Sequence, residues 1–377
     1  MVTDDSLCIA VLANSSWNIF NFRKTLIQFL TEQNYRVLVI APEDEYTKFI
    51  ENWKCVEYIP IKHLNAKSHN PFQDLMLFFE YFKILEHYKP DLILPHTIKP
   101  NIYSSLAARW LKISTVSSLT GLGSVFIRNT FVNRIIQKCY HWALASNKYI
   151  LFHNHIDRNE WCQRSLFPIA RTGIIPGSGI DLNFFKPGSV NINSGQIIFL
   201  YLGRLHPDKG IREFLFATQI LSQTQLNARF WVAGDLLEAD YKKGYEEILH
   251  LLHSIPKLEY LGKQTEIASL LAQVHFVVLP SYREGMSRSL MEAMAICKPV
   301  IATNVTGNTE LITDGVEGLL VPANDIQALS NAMVRISQIT AEQYKAMGAA
   351  GRLKIESLYS NQKVLEAYSK FFLKAIQ

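Results

Sequence analysis

A chain of 377 residues is long enough for two domains, each burying its own core. With 48% hydrophobic and 19% charged residues it reads as globular, and it has no uninterrupted apolar run of membrane-spanning length. A net charge of +5 without a dense Lys/Arg run argues against a nucleic-acid partner, while permitting phosphate ligands or an anionic membrane surface.

The opening Met1-Val2-Thr3-Asp4-Asp5-Ser6 lacks the basic start of a signal peptide. Five scattered cysteines show no metal-ligand spacing. A cytoplasmic protein with reduced thiols is therefore expected.

The N-terminal half alternates apolar strands with amphipathic helices. Leu7–Ala13 reads as strand, about Ile19 to Gln33 as helix, Arg36–Ala41 and Cys55–Ile61 as strands, and Phe72–Tyr88 as helix. Asp91–Pro95 follows as strand, Asn101–Leu111 as helix, Thr115–Leu119 as strand, and Tyr149–Phe152 as the last strand of the domain. This is the pattern of a parallel sheet with crossover helices.

Ligands of such sheets sit at the carboxyl ends of the strands. Three loops there supply acceptor-side candidates: Asn14 and Ser15; His96, Lys99 and Asn101; and Gly121 with Gly123. Lys99 reads as a phosphate contact or a solvated loop cation. His96 reads as a base, a ligand contact or a capped loop residue. The two glycines make only half of a dinucleotide fingerprint, so a nicotinamide site is not supported. Val125–Ala145 interleaves aromatic and aliphatic residues with Arg128, Arg134 and Lys138. A helix packed on the sheet is the favoured account, and an anionic membrane surface, joined by Phe72–Phe82, the other.

A Gly- and Pro-rich linker is expected between about Arg171 and Ser194. A second strand–helix series starts at Gln196–Leu202. Its first loop runs Gly203-Arg204-Leu205-His206-Pro207-Asp208-Lys209-Gly210. Arg204 and Lys209 there form a cation pair before a helix start, suited to clamping a diphosphate without a metal; the plain alternative is two solvated cations. Ala228–Ala233 and Leu258–Lys263 read as strands, and the Gly262-Lys263 turn suits a nucleobase edge. Val274–Pro280 then leads into Ser281-Tyr282-Arg283-Glu284-Gly285-Met286-Ser287-Arg288-Ser289-Leu290-Met291-Glu292. Gly285 lets the backbone approach a ligand, and the amides from Met286 to Ser289 open a helix, which favours an anion. Glu284 and Glu292 bracket that site. Alone, the pair is also what an ordinary helix start shows.

These residues together resemble glycosyltransferase family 4, retaining enzymes of the GT-B fold. The matches are Gly203-Arg204 with Lys209-Gly210, Gly262, Glu284 and Gly285 with Glu292, Pro299-Val300 with Ala302-Thr303, Gly307 with Glu310, Gly315 with Gly318, and Pro176-Gly177-Ser178-Gly179-Ile180-Asp181. The resemblance implies an α/β chain of two Rossmann-like domains facing each other across a cleft. Residues 1–172 would form the acceptor-binding domain and residues 173–358 the nucleotide-sugar domain. Residues 359–377 would form a helix packing back on the first domain. The N-terminal stretches Thr97–Tyr103 and Thr120–Gly123 resemble those of bacterial transferases acting on polyprenyl-diphosphate-linked glycans.

By the same resemblance Arg204, Lys209 and Glu284 carry the catalytic assignment. Gly203, Gly262, Lys263, Gly285, Met286, Ser287, Ser289, Leu290 and Glu292 join them in donor binding, Glu292 on the ribose hydroxyls. The implied activity moves a hexose or N-acetylhexosamine from a nucleotide sugar, expected to be UDP-linked, to a lipid-linked saccharide. No metal or cofactor is expected. The expected location is cytoplasmic, peripheral on the inner face of the cell membrane. A nucleotide-sugar epimerase of the same shape and a non-catalytic nucleotide-sugar-binding protein use the same pocket. UDP release that depends on an acceptor separates transfer from both.

Overall fold

In the computed structural model, residues 6–376 are described, apart from 66, 67, 69, 123–130, 165, 166, 189–194 and 242. The chain divides into two units, Met1–Gly179 with Asn361–Gln377, and Ile180–Ser360.

The first unit is built on a parallel sheet. Its strands are β1 (Cys8–Leu12), β2 (Arg36–Ala41), β3 (Val56–Pro60), β4 (Leu92–Pro95), β5 (Ser114–Leu119), β6 (Tyr149–Phe152) and β7 (Thr172–Ile174), in the order β3-β2-β1-β4-β5-β6-β7. Central β1 is apolar at every position because both its faces are covered. Ile9 and Val11 point to one face, with Leu26, Ile27 and Leu30 of helix Lys24–Glu32 and with Tyr368 and Phe372 of helix Asn361–Ile376. Ala10 and Leu12 point to the other, with Leu77, Tyr81 and Leu85 of helix Pro71–Tyr88 and with Ala107 and Ala108 of helix Ile98–Leu111. The final helix is thus part of the first unit's core, and its Tyr368 hydroxyl lies 3.2 Å from Ser118 Oγ.

The second unit repeats the plan with β8 (Ile197–Leu202), β9 (Ala228–Ala233), β10 (Leu258–Gly262), β11 (Phe276–Leu279), β12 (Val300–Thr303) and β13 (Gly318–Val321), ordered β10-β9-β8-β11-β12-β13. Phe199 of β8 is in register with Phe230 of β9 and Phe276 of β11, and the three rings stack at 6.0 and 5.3 Å. In each sheet the order reverses beside its first strand, between β1 and β4 and between β8 and β11. Those are the switch points at which open α/β sheets receive ligands.

Several expectations are corrected. The helix expected from Ile19 to Gln33 is two helices, Ser16–Phe22 and Lys24–Glu32, broken at buried Arg23 with φ −120°. β6 is not the last strand of its sheet. β7 follows it, three residues long and too short to show a period, with Gly173 leaving room for the Phe371 ring. The helix expected from Asn101 begins at Ile98, since Pro100 in a first turn forgoes only a donor that has no helical partner there. The units divide at Gly179/Ile180 and Ser360/Asn361 rather than after 172 and 358. The two crossing segments are tied together there: Ile180 N donates to Tyr359 O at 3.0 Å, and Ile180 bridges Ser360. Part of the Val125–Ala145 stretch lies outside the described residues; its helix is Phe131–Leu144.

Two glycines bring the loops of the second switch point together. Gly210 has φ 69°, and a Cβ on it would stand 2.0 Å from Pro280 O. Gly307 has φ 84°, and a Cβ on it would stand 2.6 Å from Glu284 O and 2.8 Å from Gly285 O. No side chain fits either place, and the backbone conformation is strained for any L residue. Gly307→Ala is expected to cost about 1–3 kcal/mol of stability by denaturant titration. An unchanged midpoint would show that the 284–285 backbone yields without cost.

Candidate active site

The loop after β8 is held from below. The buried Tyr201 hydroxyl lies 2.9 Å from Arg204 O and 3.3 Å from Lys209 O. The loop then makes a single 3-10 turn, Pro207–Lys209, whose Asp208 N–H donates to His206 Nδ1 at 3.1 Å. Left-handed Gly210 ends the turn and aims Lys209 at the loop after β11. There Lys209 Nζ donates to both oxygens of Glu284, at 2.6 and 2.8 Å. Ser281 Oγ donates to Glu284 Oε1 at 2.6 Å. Glu284 is buried, so three donors meet a carboxylate that is largely out of water.

The surrounding backbone is pinned as closely. Tyr282 N donates to Asp208 O at 2.9 Å, and Glu284 N to Thr306 O at 3.2 Å. Thr303 Oγ1 donates to Ser281 O. The Tyr282 hydroxyl reaches Glu213 Oε1 at 2.6 Å, tying the loop to helix Ile211–Ser222.

Ser287 opens helix Arg288–Ala295 in extended conformation and makes no side-chain cap bond. The first-turn amides of a helix lack intrahelical acceptors, and the Ser287 side chain does not supply one here. Ser287 Oγ and Ser289 Oγ lie 3.3 Å apart. Leu290 is buried, so only its backbone is available to a ligand, while Met286 is half-buried. One turn on, Glu292 Oε1 accepts from Arg288 Nε at 2.7 Å. Burial pushes the Glu292 carboxyl up, against the lowering effect of Arg288.

The remaining donor-side candidates surround this centre less closely. Gly203 N donates to Ala233 O at 3.0 Å at the end of β8. Gly262 ends β10 with φ 66° and open space where a side chain would be, and Lys263 is exposed. Arg204 turns toward Asp240, with Nη1 3.8 Å from Oδ2, and stays largely exposed. So the expected cation pair divides: Lys209 is engaged with Glu284, and Arg204 lies beside Asp240. Tyr201, Ser281, Arg288 and Thr303 were not read from the sequence as site residues. Only Arg288 carried a signal, its spacing of four from Glu292 at a helix start.

In the first unit the candidates fall into surface and interior groups. Asn14 is half-buried, and Ser15 caps helix Ser16–Phe22 by accepting from Asn18 N at 3.1 Å. Lys99 is paired with Asp74 at 2.6 Å rather than solvated. Asn101 is buried and donates to Ser118 O at 3.0 Å. His96 is wholly buried, and neither ring nitrogen has a hydrogen-bond partner. Burial, with Arg23 and His153 adding, holds His96 well below the usual histidine range; burial and Arg23 bring His153 to about 3. Both rings are therefore neutral near pH 7. Gly121 has φ 156°; Gly123 lies outside the described residues. Among the described residues no group of three His, Cys, Asp or Glu stands close enough to hold a metal ion.

The family described as "Glycosyl transferases group 1" matches residues 184–354, and the one described as "Glycosyl transferase 4-like" matches residues 8–154. One relative is the N,N'-diacetylbacillosaminyl-diphospho-undecaprenol alpha-1,3-N-acetylgalactosaminyltransferase of Campylobacter jejuni, 27% identical over 98% of this chain and 99% of its own. Another is the UDP-Gal:alpha-D-GlcNAc-diphosphoundecaprenol alpha-1,3-galactosyltransferase of Escherichia coli, 28% identical over 82% of each chain. Among solved structures, Anabaena HepE in complex with UDP-glucose superposes with TM-score 0.80 at 19% identity, covering 98% of this chain and 100% of its own. The two family matches fall one in each unit, and both sheets have the Rossmann-like order. The chain belongs to glycosyltransferase family 4 and has the GT-B fold.

Proposed function

We propose that this transferase moves a hexose or N-acetylhexosamine from a UDP-sugar to a polyprenyl-diphosphate-linked saccharide, with retention at the anomeric carbon. The observation that carries the reading is the Lys209–Glu284–Ser281 knot at the second switch point, beside the N-terminus of helix Arg288–Ala295. The names of the two bacterial relatives supply the acceptor class.

In this reading the diphosphate sits at that N-terminus, where the helix dipole favours negative charge. An ammonium has three donors. Lys209 spends two on Glu284 and keeps one for a phosphate oxygen. Arg204, near the rim, adds charge as the nucleotide leaves. Glu284 and the Gly285–Ser287 backbone hold the donor sugar, and Glu292, oriented by Arg288, accepts from the ribose hydroxyls. Gly262 and Lys263 meet the base. The bond from the anomeric carbon to the phosphate oxygen breaks, and the acceptor oxygen bonds to that carbon on the same face. Its proton passes to the departing phosphate, releasing UDP.

The acceptor meets the loops after β1, β4 and β5, through Asn14, Ser15, Lys99 and Gly121. Buried His96 and Asn101 support that surface from beneath. A lipid-linked acceptor places the reaction at the inner face of a cell membrane.

The test offers UDP-galactose, UDP-N-acetylgalactosamine, UDP-glucose and UDP-N-acetylglucosamine with and without a polyprenyl-diphosphate-linked saccharide. UDP is expected only when acceptor is present, and the new linkage is expected to keep the donor's anomeric configuration by NMR. A UDP-sugar converted to its epimer without acceptor would sink the proposal. Lys209→Ala is expected to lower kcat by on the order of 10²–10³, because it removes a transition-state donor and leaves Glu284 without its counter-charge. Wild-type turnover in that folded variant would remove Lys209 from the reaction. With protein cations serving the diphosphate, excess EDTA is expected to leave the rate unchanged. A loss that added Mg²⁺ restores would assign that charge to a metal instead.

A further inference from the structure

Helix Pro71–Tyr88 is apolar on two sides. Its inner side packs Leu77, Tyr81 and Leu85 into the core. On its outer side Phe72 is 69% exposed, Leu75 51%, Met76 37% and Phe79 49%. These positions recur at i, i+3, i+4 and i+7, so they form one stripe over two turns. Folding does not require it; the core is served by the other side.

The carboxylates of this helix are directed elsewhere. Asp74 is taken up by Lys99. Glu80 accepts from the backbone amides of Lys62 and His63 at 2.8 and 2.9 Å. Glu86 stands near the helix's far end.

The neighbouring sequence has an unusual charge distribution. Between Asp91 and Asp157 there is no Asp or Glu, and there are seven Lys and Arg. With a net charge of +5 for the whole chain, everything outside that span sums to −2. The span forms helices Ile98–Leu111 and Phe131–Leu144, which lie in sequence beside Pro71–Tyr88. The Asp74–Lys99 pair joins the first two, and Arg109 stacks over Trp142 to join the last two. Arg134, Lys138 and Trp142 are exposed on this layer.

We infer that this three-helix layer docks on an anionic bilayer surface. Phe72, Leu75, Met76 and Phe79 enter the boundary between headgroups and acyl chains, and Arg134 and Lys138 lie over acidic headgroups. An aromatic and aliphatic stripe on one helix, in a layer with two helices from a basic span free of carboxylates, matches a lipid interface that is apolar below and anionic above. Among the described residues no helix is long and apolar enough to cross a membrane. Lys99 follows the carboxyl end of β4, so its ion pair fixes the start of the stripe at the ligand end of the sheet. A saccharide on a lipid carrier in that bilayer would be presented to the same end; this last point alone rests on the proposed acceptor.

The test is sedimentation with vesicles of phosphatidylcholine alone or with added phosphatidylglycerol, without donor or acceptor. The protein is expected to bind the phosphatidylglycerol vesicles at least about tenfold more tightly, and to be released by salt. Phe72→Ser/Phe79→Ser and Arg134→Glu/Lys138→Glu are each expected to weaken that binding about tenfold or more. Both variants should keep the wild-type circular dichroism spectrum, since all four side chains are at the surface. Equal binding to both vesicle types, or binding that neither variant changes, overturns the proposal. A wild-type dimer that Phe72→Ser/Phe79→Ser dissolves, with no vesicle binding, also overturns it and gives the stripe to a second copy of the chain. Because binding is read without substrates, a failed transfer assay leaves this result standing, and the reverse also holds.

Discussion

The geometry of the candidate active site depends on the pairing of Lys209 with Glu284. A buried carboxylate is costly unless its charge is met, and here an ammonium and a serine hydroxyl meet it. The pair is possible only because two backbone segments come closer than side chains allow. Gly210 lies against the Pro280 carbonyl, and Gly307 against the carbonyls of Glu284 and Gly285. Tyr282 N–H, bonded to Asp208 O, closes the same seam by hydrogen bonding. The energetic return of such an ion pair is modest, so its use is better sought in position: it fixes where a cation and a carboxylate stand before any ligand arrives.

That seam explains which parts of the site were legible in sequence. Lys209-Gly210 and Gly307 were readable because both glycines are demanded by backbone approach, and such demands place a glycine at a fixed spacing. Tyr201, Ser281 and Thr303 were not, because a buried tyrosine in a strand and hydroxyls in a loop look like packing until their partners are known. Arg204 shows the opposite failure. Its spacing from Lys209 suggested a joint clamp, but the turn at Pro207–Lys209 sends the two side chains to different carboxylates, Asp240 and Glu284.

The fold was legible for a related reason. Strands buried on both faces must be apolar throughout, so β1, β8 and β11 were plain as unbroken runs. What escaped was short or interrupted. β7 has three residues and a glycine, and the break at Arg23 separates two helices whose pattern reads as one. In the first unit the expected loops do follow strand ends, but helices already begin at Ser16 and Ile98, and the polar residues there are mostly committed to structure. Ser15 is a helix cap, Asn101 ties helix Ile98–Leu111 to β5, and Lys99 is paired. Position at a strand's carboxyl end identifies where a ligand can come, without saying which side chains are left to meet it.

The two switch points also differ in charge, and this bears on how a transfer reaction is divided between them. At the second, Glu284 is paired with Lys209 and Glu292 with Arg288. On the proposed function, a diphosphate arriving there would meet both of these carboxylates already compensated, beside a helix N-terminus and exposed Arg204. At the first, Arg23 is buried with two histidines held neutral by burial. Neutral imidazoles next to a buried guanidinium avoid adding charge where water is scarce, at the cost of ring nitrogens left without partners. An acceptor hydroxyl must stay uncharged until the donor bond is breaking. On the proposed function, a neighbourhood that favours neutral groups would suit that hydroxyl, just as the compensated carboxylates would suit a donor whose charge grows as it leaves.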